Sequence, residues 1–120
     1  VVVVDDEVLG KPAGAADARR MLGLLSGRTH RVVTGVTVVR GEHRDTRRQV
    51  TEVSFKSLSD DEIEYYISTY RPFDKAGAYG IQEWIGCVGI EGISGDYYNV
   101  MGLPLRLLYE MLLDSVSGQR

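Results

Sequence analysis

The sequence contains one cysteine, Cys87, among its 120 residues. A single cysteine cannot form an intramolecular disulfide, so the chain suits a reducing compartment and we expect it in the cytoplasm. Cys87 lies in the apolar run Trp84–Ile90 with no histidine nearby in sequence, which favours a buried, inert thiol over a nucleophile. No run approaches the ~18 apolar residues of a membrane-spanning helix, so we expect no membrane partner.

An excess of positive charge is also absent. The formal net charge is −3, which gives no global electrostatic reason to bind nucleic acid. One local group of basic residues is interrupted by Glu42 and Asp45, and no aromatic residues for base stacking alternate with it. We interpret this group as part of a solvated hairpin and expect no nucleic-acid partner; its members are Arg40, Arg44, Arg47 and Arg48.

Histidine is scarce, since only His30 and His43 are present. A hydrolase triad needs a serine or cysteine that a histidine and an acid can reach, and the sequence has no nucleophile-elbow pattern. The two histidines also lack metal-ligand spacing. We therefore predict a structural role for His30, at the start of a strand, and a polar turn around His43.

The chain opens with Val1–Val4, a β-branched run that is apolar on both faces. Such a run predicts a strand that is buried on both sides. Central strands rarely begin a domain, and this sequence does not begin with methionine. We therefore expect that sequence preceding Val1 is missing and that residues 1–120 form the C-terminal portion of a domain.

The remaining pattern predicts helices and strands in mixed order. Helices are expected at Ala15–Leu25, from the capping box Ser59–Glu62 to Tyr70, and from Pro104 onward with Leu105, Leu108, Met111 and Leu112 inward. Strands are expected at Glu7–Leu9, Thr29–Val39, Arg48–Phe55 with Val50, Val53 and Phe55 alternating, and Trp84–Ile90. This order favours an α/β fold in which helices flank a mixed sheet.

Three segments resist assignment, namely Gly10–Pro12, Asp74–Gln82 (a loop with one helical turn) and Gly95–Leu103. Loops on rigid elements commonly carry sites. These loops offer two cations, two carboxylates and two amides, which suit a phosphorylated ligand held with a divalent metal. The residues are Lys11, Lys75, Asp74, Asp96, Gln82 and Asn99. By residue type alone, exposed lysines and turn-forming side chains explain them better than a ligand site does.

The same loops resemble the Maf family of nucleotide pyrophosphatases, also called septum formation inhibitors. The resemblance covers essentially the whole chain, in the order and at the spacing of the family. The matching segments are Gly10–Pro12, Leu25–His30, Thr34–Val36, Asp74–Gln82 (DKAGAYGIQ) and Gly95–Pro104 (GDYYNVMGLP).

The resemblance implies an elongated, twisted sheet and hydrolysis of a nucleoside triphosphate between its α and β phosphates, with Mg²⁺ or Mn²⁺ as cofactor. Lys11 and Lys75 would neutralise phosphate charge, Asp74 would face the metal or support its ligands, and Gln82 would contact the base. The family's catalytic aspartate would precede Val1, so this chain alone is expected to be inactive. The loop Asp74–Gln82 resembles the branch that acts on dTTP and UTP. The resemblance is compatible with a homodimer.

Two other functions stay open at this point. One is a non-catalytic nucleotide sensor or a module that regulates cell division. The other is a pyrophosphatase for inosine or xanthosine triphosphate, which shares the general architecture but not these loop motifs. For the pyrophosphatase that the resemblance implies, the expected partner is a nucleoside triphosphate substrate.

Overall fold

A computed structural model of the protein describes residues 1–117. The strands are β1 (Val2–Val4), β2 (Glu7–Leu9), β3 (Thr29–Arg40), β4 (His43–Phe55) and β5 (Ile90–Ser94). The helices are α1 (Ala15–Leu25), α2 (Asp60–Tyr70), α3 (Trp84–Gly89), α4 (Tyr97–Met101) and α5 (Leu105–Ser117), with a 3-10 turn at Ala76–Ala78.

The described strands form one five-stranded sheet in the order β2-β1-β3-β4-β5. Every pair is antiparallel. The molecule measures 54 × 27 × 26 Å along its principal axes, so it is elongated. The predicted α/β class with a helix-flanked, elongated sheet is confirmed, whereas the sheet, predicted to be mixed, is antiparallel throughout the described residues.

The long hairpin of β3 and β4 gives the sheet one buried and one exposed face. His30 pairs with Val53 and Val32 with Thr51, and all four side chains are buried. Arg31 and its partner Glu52 lie on the opposite, exposed face. Successive side chains of a strand point to opposite faces of the sheet. The described helices cover the face that carries the buried side chains. Val50 lies on the exposed face, so its predicted grouping with Val53 and Phe55 was wrong.

Strand β1 lies inside the sheet, between β2 and β3, as the apolar run predicted. Val2 and Val4 are buried beneath the helices, whereas Val3 on the other face is only half-buried. The prediction of equal burial on both sides was therefore correct for one face of the sheet.

Helices α1 and α2 cover this face near β1. Helix α1 buries Ala18, Met21, Leu22 and Leu25, the side chains that its i, i+3, i+4, i+7 spacing predicts. Helix α2 begins at the predicted capping box, in which the Ser59 side chain accepts from the Glu62 amide and the Glu62 side chain accepts from the Ser59 amide. Neither helix, nor any other within residues 1–117, has the length and apolarity to cross a membrane.

The segment Trp84–Ile90 was predicted as a strand, and this was wrong. It forms α3, followed at Ile90 by β5, which the sequence did not indicate. Ile85 and Gly89 are buried four positions apart, which is a helical and not an alternating pattern. A short apolar run cannot be distinguished from a buried helix by its periodicity alone. The helical turn leaves Cys87 exposed, so the prediction of a buried thiol was also wrong.

Helices α4 and α5 cover the hairpin farther from β1. The segment Gly95–Leu103, predicted as irregular, contains α4, which begins after the capping side chain of Asp96. In α5 the buried side chains are Leu107 and Met111, whereas Leu105 and Leu112 are exposed. The buried face of α5 is therefore rotated relative to the predicted one. The sequence did not distinguish the two faces, because the apolar residues of this helix extend around more than one face.

Candidate functional site

Two of the three unassigned loops meet beside β1 and β3 and form a pocket of about 270 Å³. One wall belongs to the loop that follows α2, and the other belongs to α4. The floor is formed by the strands. The lining residues are Val1, Val2, Val32, Thr34, Lys75, Ala76, Tyr79–Gln82 and Asn99–Gly102.

The loop reaches β1 because Gly77 permits a close approach. Its φ is +72°, in the left-handed region that favours glycine, and a Cβ there would lie 3.1 Å from a methyl group of Val2. The Gly77 amide donates to the carbonyl of Gly10 at 3.1 Å. This bond joins the loop to Gly10–Pro12, so the third unassigned segment and Lys11 lie beside the same loop.

Lys75 carries the positive charge of the pocket lining. Its stem packs over Gly80, where an added Cβ would lie 2.7 Å from Lys75 Cε. Its Nζ is 3.2 Å from Asp74 Oδ1. The pKa of Asp74 is held below its ordinary value, chiefly by the hydrogen bond from the Lys75 ammonium. A backbone hydrogen bond and the positive charges of Lys75 and Lys11 lower this pKa further. Asp74 therefore stays ionised and is a weak candidate for a general base.

The structure thus brings together part of the predicted set. Lys75 and Gln82 line one pocket, and Asp74 is paired with Lys75 at its rim. Lys11 does not contribute to the lining, although its charge reaches Asp74. The convergence of all four side chains on one cleft stays a prediction.

Asp96 and Asn99 hold α4 against the hairpin. Asp96 caps the helix by accepting from the Tyr98 amide at 2.8 Å. Its backbone amide and carbonyl both bond to the Thr51 hydroxyl. Asn99 is buried and donates to Thr51 and to strand carbonyls. Asp96 therefore has the turn-organising role that its residue type suggested, whereas Asn99 also lines the pocket.

Tyr66, which is buried on α2, holds the end of the loop through its hydroxyl group. Its hydroxyl accepts from the Gly80 amide at 3.0 Å and donates to the Glu83 carboxylate. Burial, reinforced by the Glu83 carboxylate, raises the pKa of Tyr66 well above its ordinary value. The hydroxyl group of a buried tyrosine usually has a hydrogen-bond partner. A tyrosine on the buried face of α2 is therefore the one indication of this contact that the sequence provides.

Replacing Tyr66 with phenylalanine should lower the free energy of unfolding by about 1–3 kcal/mol, because the Gly80 amide and the Glu83 carboxylate lose a buried partner. Urea denaturation would measure this change. Tyr65→Phe is the matched control, since Tyr65 is the adjacent tyrosine on α2 and is half-exposed. Equal effects of the two substitutions would contradict the positioning role of the Tyr66 hydroxyl.

His30 lies beneath the pocket and has the structural role that was predicted. Its Nε2 is 2.6 Å from the hydroxyl of Tyr79, a residue of the pocket lining, and its ring stacks on Phe55. Burial lowers the pKa of His30 to about 4, so the ring is neutral at physiological pH. Nδ1 has no hydrogen-bond partner among the described residues.

A resident metal ion does not fit the described donor groups. Within residues 1–117, no three His, Cys, Asp or Glu side chains are grouped closely enough to hold one. Asp74, the carboxylate at the pocket rim, is paired with Lys75. We therefore assign no chemical step to a metal held by these residues.

A second pocket, of about 630 Å³, lies between the hairpin tip and α5. It is larger, but it is lined by none of the loops that carry the candidate residues. Arg40, a residue of its lining, holds α5 by donating to the Ser115 carbonyl. The smaller pocket is therefore the candidate site.

The chain belongs to the Maf family, because the family model described as "Maf-like protein" matches residues 1–115. It is 55% identical over 112 residues to a protein of Phocaeicola vulgatus named dTTP/UTP pyrophosphatase, covering 93% of this chain and 58% of that protein. A protein of Porphyromonas gingivalis with the same name is 55% identical over 117 residues, with 95% and 57% covered.

A third relative is similar to the same extent. The protein of Symbiobacterium thermophilum named dTTP/UTP pyrophosphatase is 54% identical over 112 residues, with 93% of this chain and 57% of that protein covered. The chain therefore spans a little over half the length of these curated relatives. The predicted membership of the Maf family is confirmed.

Proposed function

We propose that the protein hydrolyses dTTP and UTP between the α and β phosphates, releasing the monophosphate and pyrophosphate. One observation carries this proposal: a lysine suited to phosphate and an amide suited to a base, Lys75 and Gln82, line the same pocket. The relatives that share about 55% of its residues are named for this activity. Cleansing of the cytoplasmic nucleotide pool would be its cellular purpose.

In this proposal the two lysines stabilise the charge that develops on the phosphates. Lys75 contacts the polyphosphate from the pocket wall, and Lys11 approaches it from the neighbouring loop. Fixed positive groups lower the barrier most when they are already oriented toward the developing charge. Asp74 contributes that orientation for Lys75, because its carboxylate stays ionised and paired.

In the proposed reaction water attacks the α phosphorus, and the bond from that phosphorus to the bridging oxygen breaks, so that pyrophosphate leaves. The proton of the attacking water passes to a general base. The lowered pKa of Asp74 makes it unsuited to that role. The proton passes instead to a carboxylate outside residues 1–120, as the resemblance to the Maf family implies. Mg²⁺ or Mn²⁺ would enter with the triphosphate, bound to its phosphate oxygens, which are the ligands that hard cations prefer.

Gln82 is proposed to contact the base. Uracil and thymine present acceptor, donor and acceptor along their pairing edge, and a carboxamide offers one donor and one acceptor to that edge. The Gln82 side chain is exposed at the pocket mouth, so it can adjust to the base that enters.

Gln82→Glu should lower the ratio of UTP to CTP turnover (kcat/KM) by about 5–150-fold, because the carboxylate cannot donate to the C4 carbonyl of uracil. Steady-state kinetics with dTTP, UTP, CTP and GTP would measure it. Gln49→Glu is the control, because Gln49 lies on β4 outside the pocket lining. An unchanged base preference in Gln82→Glu would remove Gln82 from this role.

The reaction itself is tested by the products that the full-length protein forms from dTTP. Chromatography with Mg²⁺ present should show dTMP and pyrophosphate in equal amounts. Formation of dTDP and phosphate would contradict cleavage between the α and β phosphates. Tight binding of dTTP with no turnover would instead support the non-catalytic nucleotide sensor.

A further inference from the structure

Gly80 lies in the pocket lining, and hydrogen bonds hold its backbone on both sides. Its amide donates to the Tyr66 hydroxyl at 3.0 Å, and its carbonyl accepts from the Glu83 amide at 3.0 Å. Tyr66 is itself fixed, because its side chain is fully buried and its hydroxyl donates to the Glu83 carboxylate. The backbone of Gly80 therefore cannot move without breaking these hydrogen bonds.

The space beside Gly80 is occupied by the side chains of Lys75 and Glu83. A Cβ at residue 80 would lie 2.7 Å from Lys75 Cε, 3.1 Å from Lys75 Cδ and 3.0 Å from Glu83 Oε1. Carbon atoms in contact are ordinarily about 3.5–4.0 Å apart. Gly80 does not have a positive φ, so its backbone conformation does not require glycine. What requires glycine here is the space that the Lys75 stem occupies.

Lys75 is also held at both of its ends. Its carbonyl accepts from the Ala78 amide at 3.0 Å, and its Nζ lies 3.2 Å from Asp74 Oδ1. A lysine side chain loses much rotamer freedom when it is ordered. Because the contact with Gly80 confines the stem between these ends, part of that freedom is already lost before a ligand binds.

We propose that Gly80 is a positioning residue for Lys75, because the space left by its missing side chain directs the ammonium toward the phosphates of the nucleotide. This inference rests on the proposed function, in which Lys75 neutralises phosphate charge. Tyr66 and Glu83 contribute indirectly, since they hold Gly80 in place. A charged group that is oriented before the reaction begins needs no reorganisation as charge develops on the phosphates.

Gly80→Ala should displace the Lys75 ammonium and leave the fold intact. Glu83 is held by Tyr66, whereas the end of the Lys75 stem is flexible, so the added methyl group should shift Lys75 by roughly 1 Å. This shift should lower kcat for dTTP in the full-length protein by about 10-fold or more, with a smaller change in KM. Gly23→Ala on α1 is the matched control, because a Cβ there would have no atom within 4 Å. Its kcat should stay within a few-fold of the unaltered protein.

A double-mutant cycle separates the positioning of Lys75 from a general loss of structure. In Lys75→Ala the stem is absent, so adding Gly80→Ala should cause little further loss of kcat. Equal losses in the two backgrounds would overturn the proposal, because Gly80 would then act without Lys75. Tyr66→Phe, which removes the partner of the Gly80 amide, provides the same cycle if Gly80→Ala does not fold.

The position of Lys75 can also be measured without turnover. Crystal structures of the full-length protein and of Gly80→Ala should show Lys75 Nζ displaced from Asp74 Oδ1, with the main chain of residues 74–82 unchanged. An unmoved Lys75 would overturn the inference even if the protein hydrolyses dTTP. Displacement of Lys75 in a protein that forms no dTMP would refute the proposed function and still support the control of Lys75 by Gly80.

Discussion

Replacing Lys11 or Lys75 with alanine should lower the turnover number for dTTP in the full-length protein by about 10²-fold or more. Each substitution removes a positive charge that the proposal places against the phosphates in the transition state. A stabiliser of that state affects kcat more than KM. Steady-state kinetics at saturating dTTP would measure the loss.

Lys56→Ala is the matched control for Lys75→Ala. Lys56 is paired with Glu62 at 2.7 Å, and its side chain is 36% exposed, against 33% for Lys75. It lies outside the pocket lining. We expect turnover in Lys56→Ala to stay within a few-fold of the unaltered protein. An equal loss in the two variants would show that the effect arises from lost ion pairs and not from phosphate binding.

The protein should lose stability as the pH falls from about 6.5 toward 4, and His30 should contribute about 3 kcal/mol of that loss. Burial lowers the pKa of His30 from its ordinary value of 6.5 to about 4. Between these values the unfolded chain binds the proton and the folded chain does not, so acidification favours unfolding. The difference of about 2.5 units sets the magnitude.

Urea denaturation between pH 4 and pH 7 would measure this dependence. His30→Gln retains a side chain that can bond to Tyr79 but cannot titrate, so the contribution of residue 30 should disappear. His43→Ala changes a histidine that is exposed at the hairpin tip and should preserve the dependence. A pH profile of His30→Gln identical to that of the unaltered protein would contradict the assignment to His30.

Much of the fold could be predicted from the sequence, because local signals agree with tertiary packing. The capping box at Ser59 and the apolar spacing of α1 each specify a helix before any long-range contact forms. The segment Trp84–Gly89 could not be predicted in this way. Its conformation depends on long-range packing, since Gly89 allows a close approach to Phe55 and Leu58 that the local pattern does not contain.

The site could be predicted only in part. Lys75 and Gln82 were identified because they belong to a recognisable loop, and the structure places both in one pocket. The contacts of Tyr66 and Asn99 depend on hydrogen bonds to distant backbone atoms, such as the carbonyl of Val32. A single sequence does not indicate which distant backbone atoms a buried polar side chain will contact.

The position of the nucleotide would be measured by a crystal structure of the full-length protein with a non-hydrolysable α,β-imido analogue of dUTP. The proposed function predicts the uracil ring beside Gln82 and the phosphates extending toward Lys75. Binding of the analogue in the larger pocket between the hairpin tip and α5, or with its phosphates remote from Lys75, would contradict it.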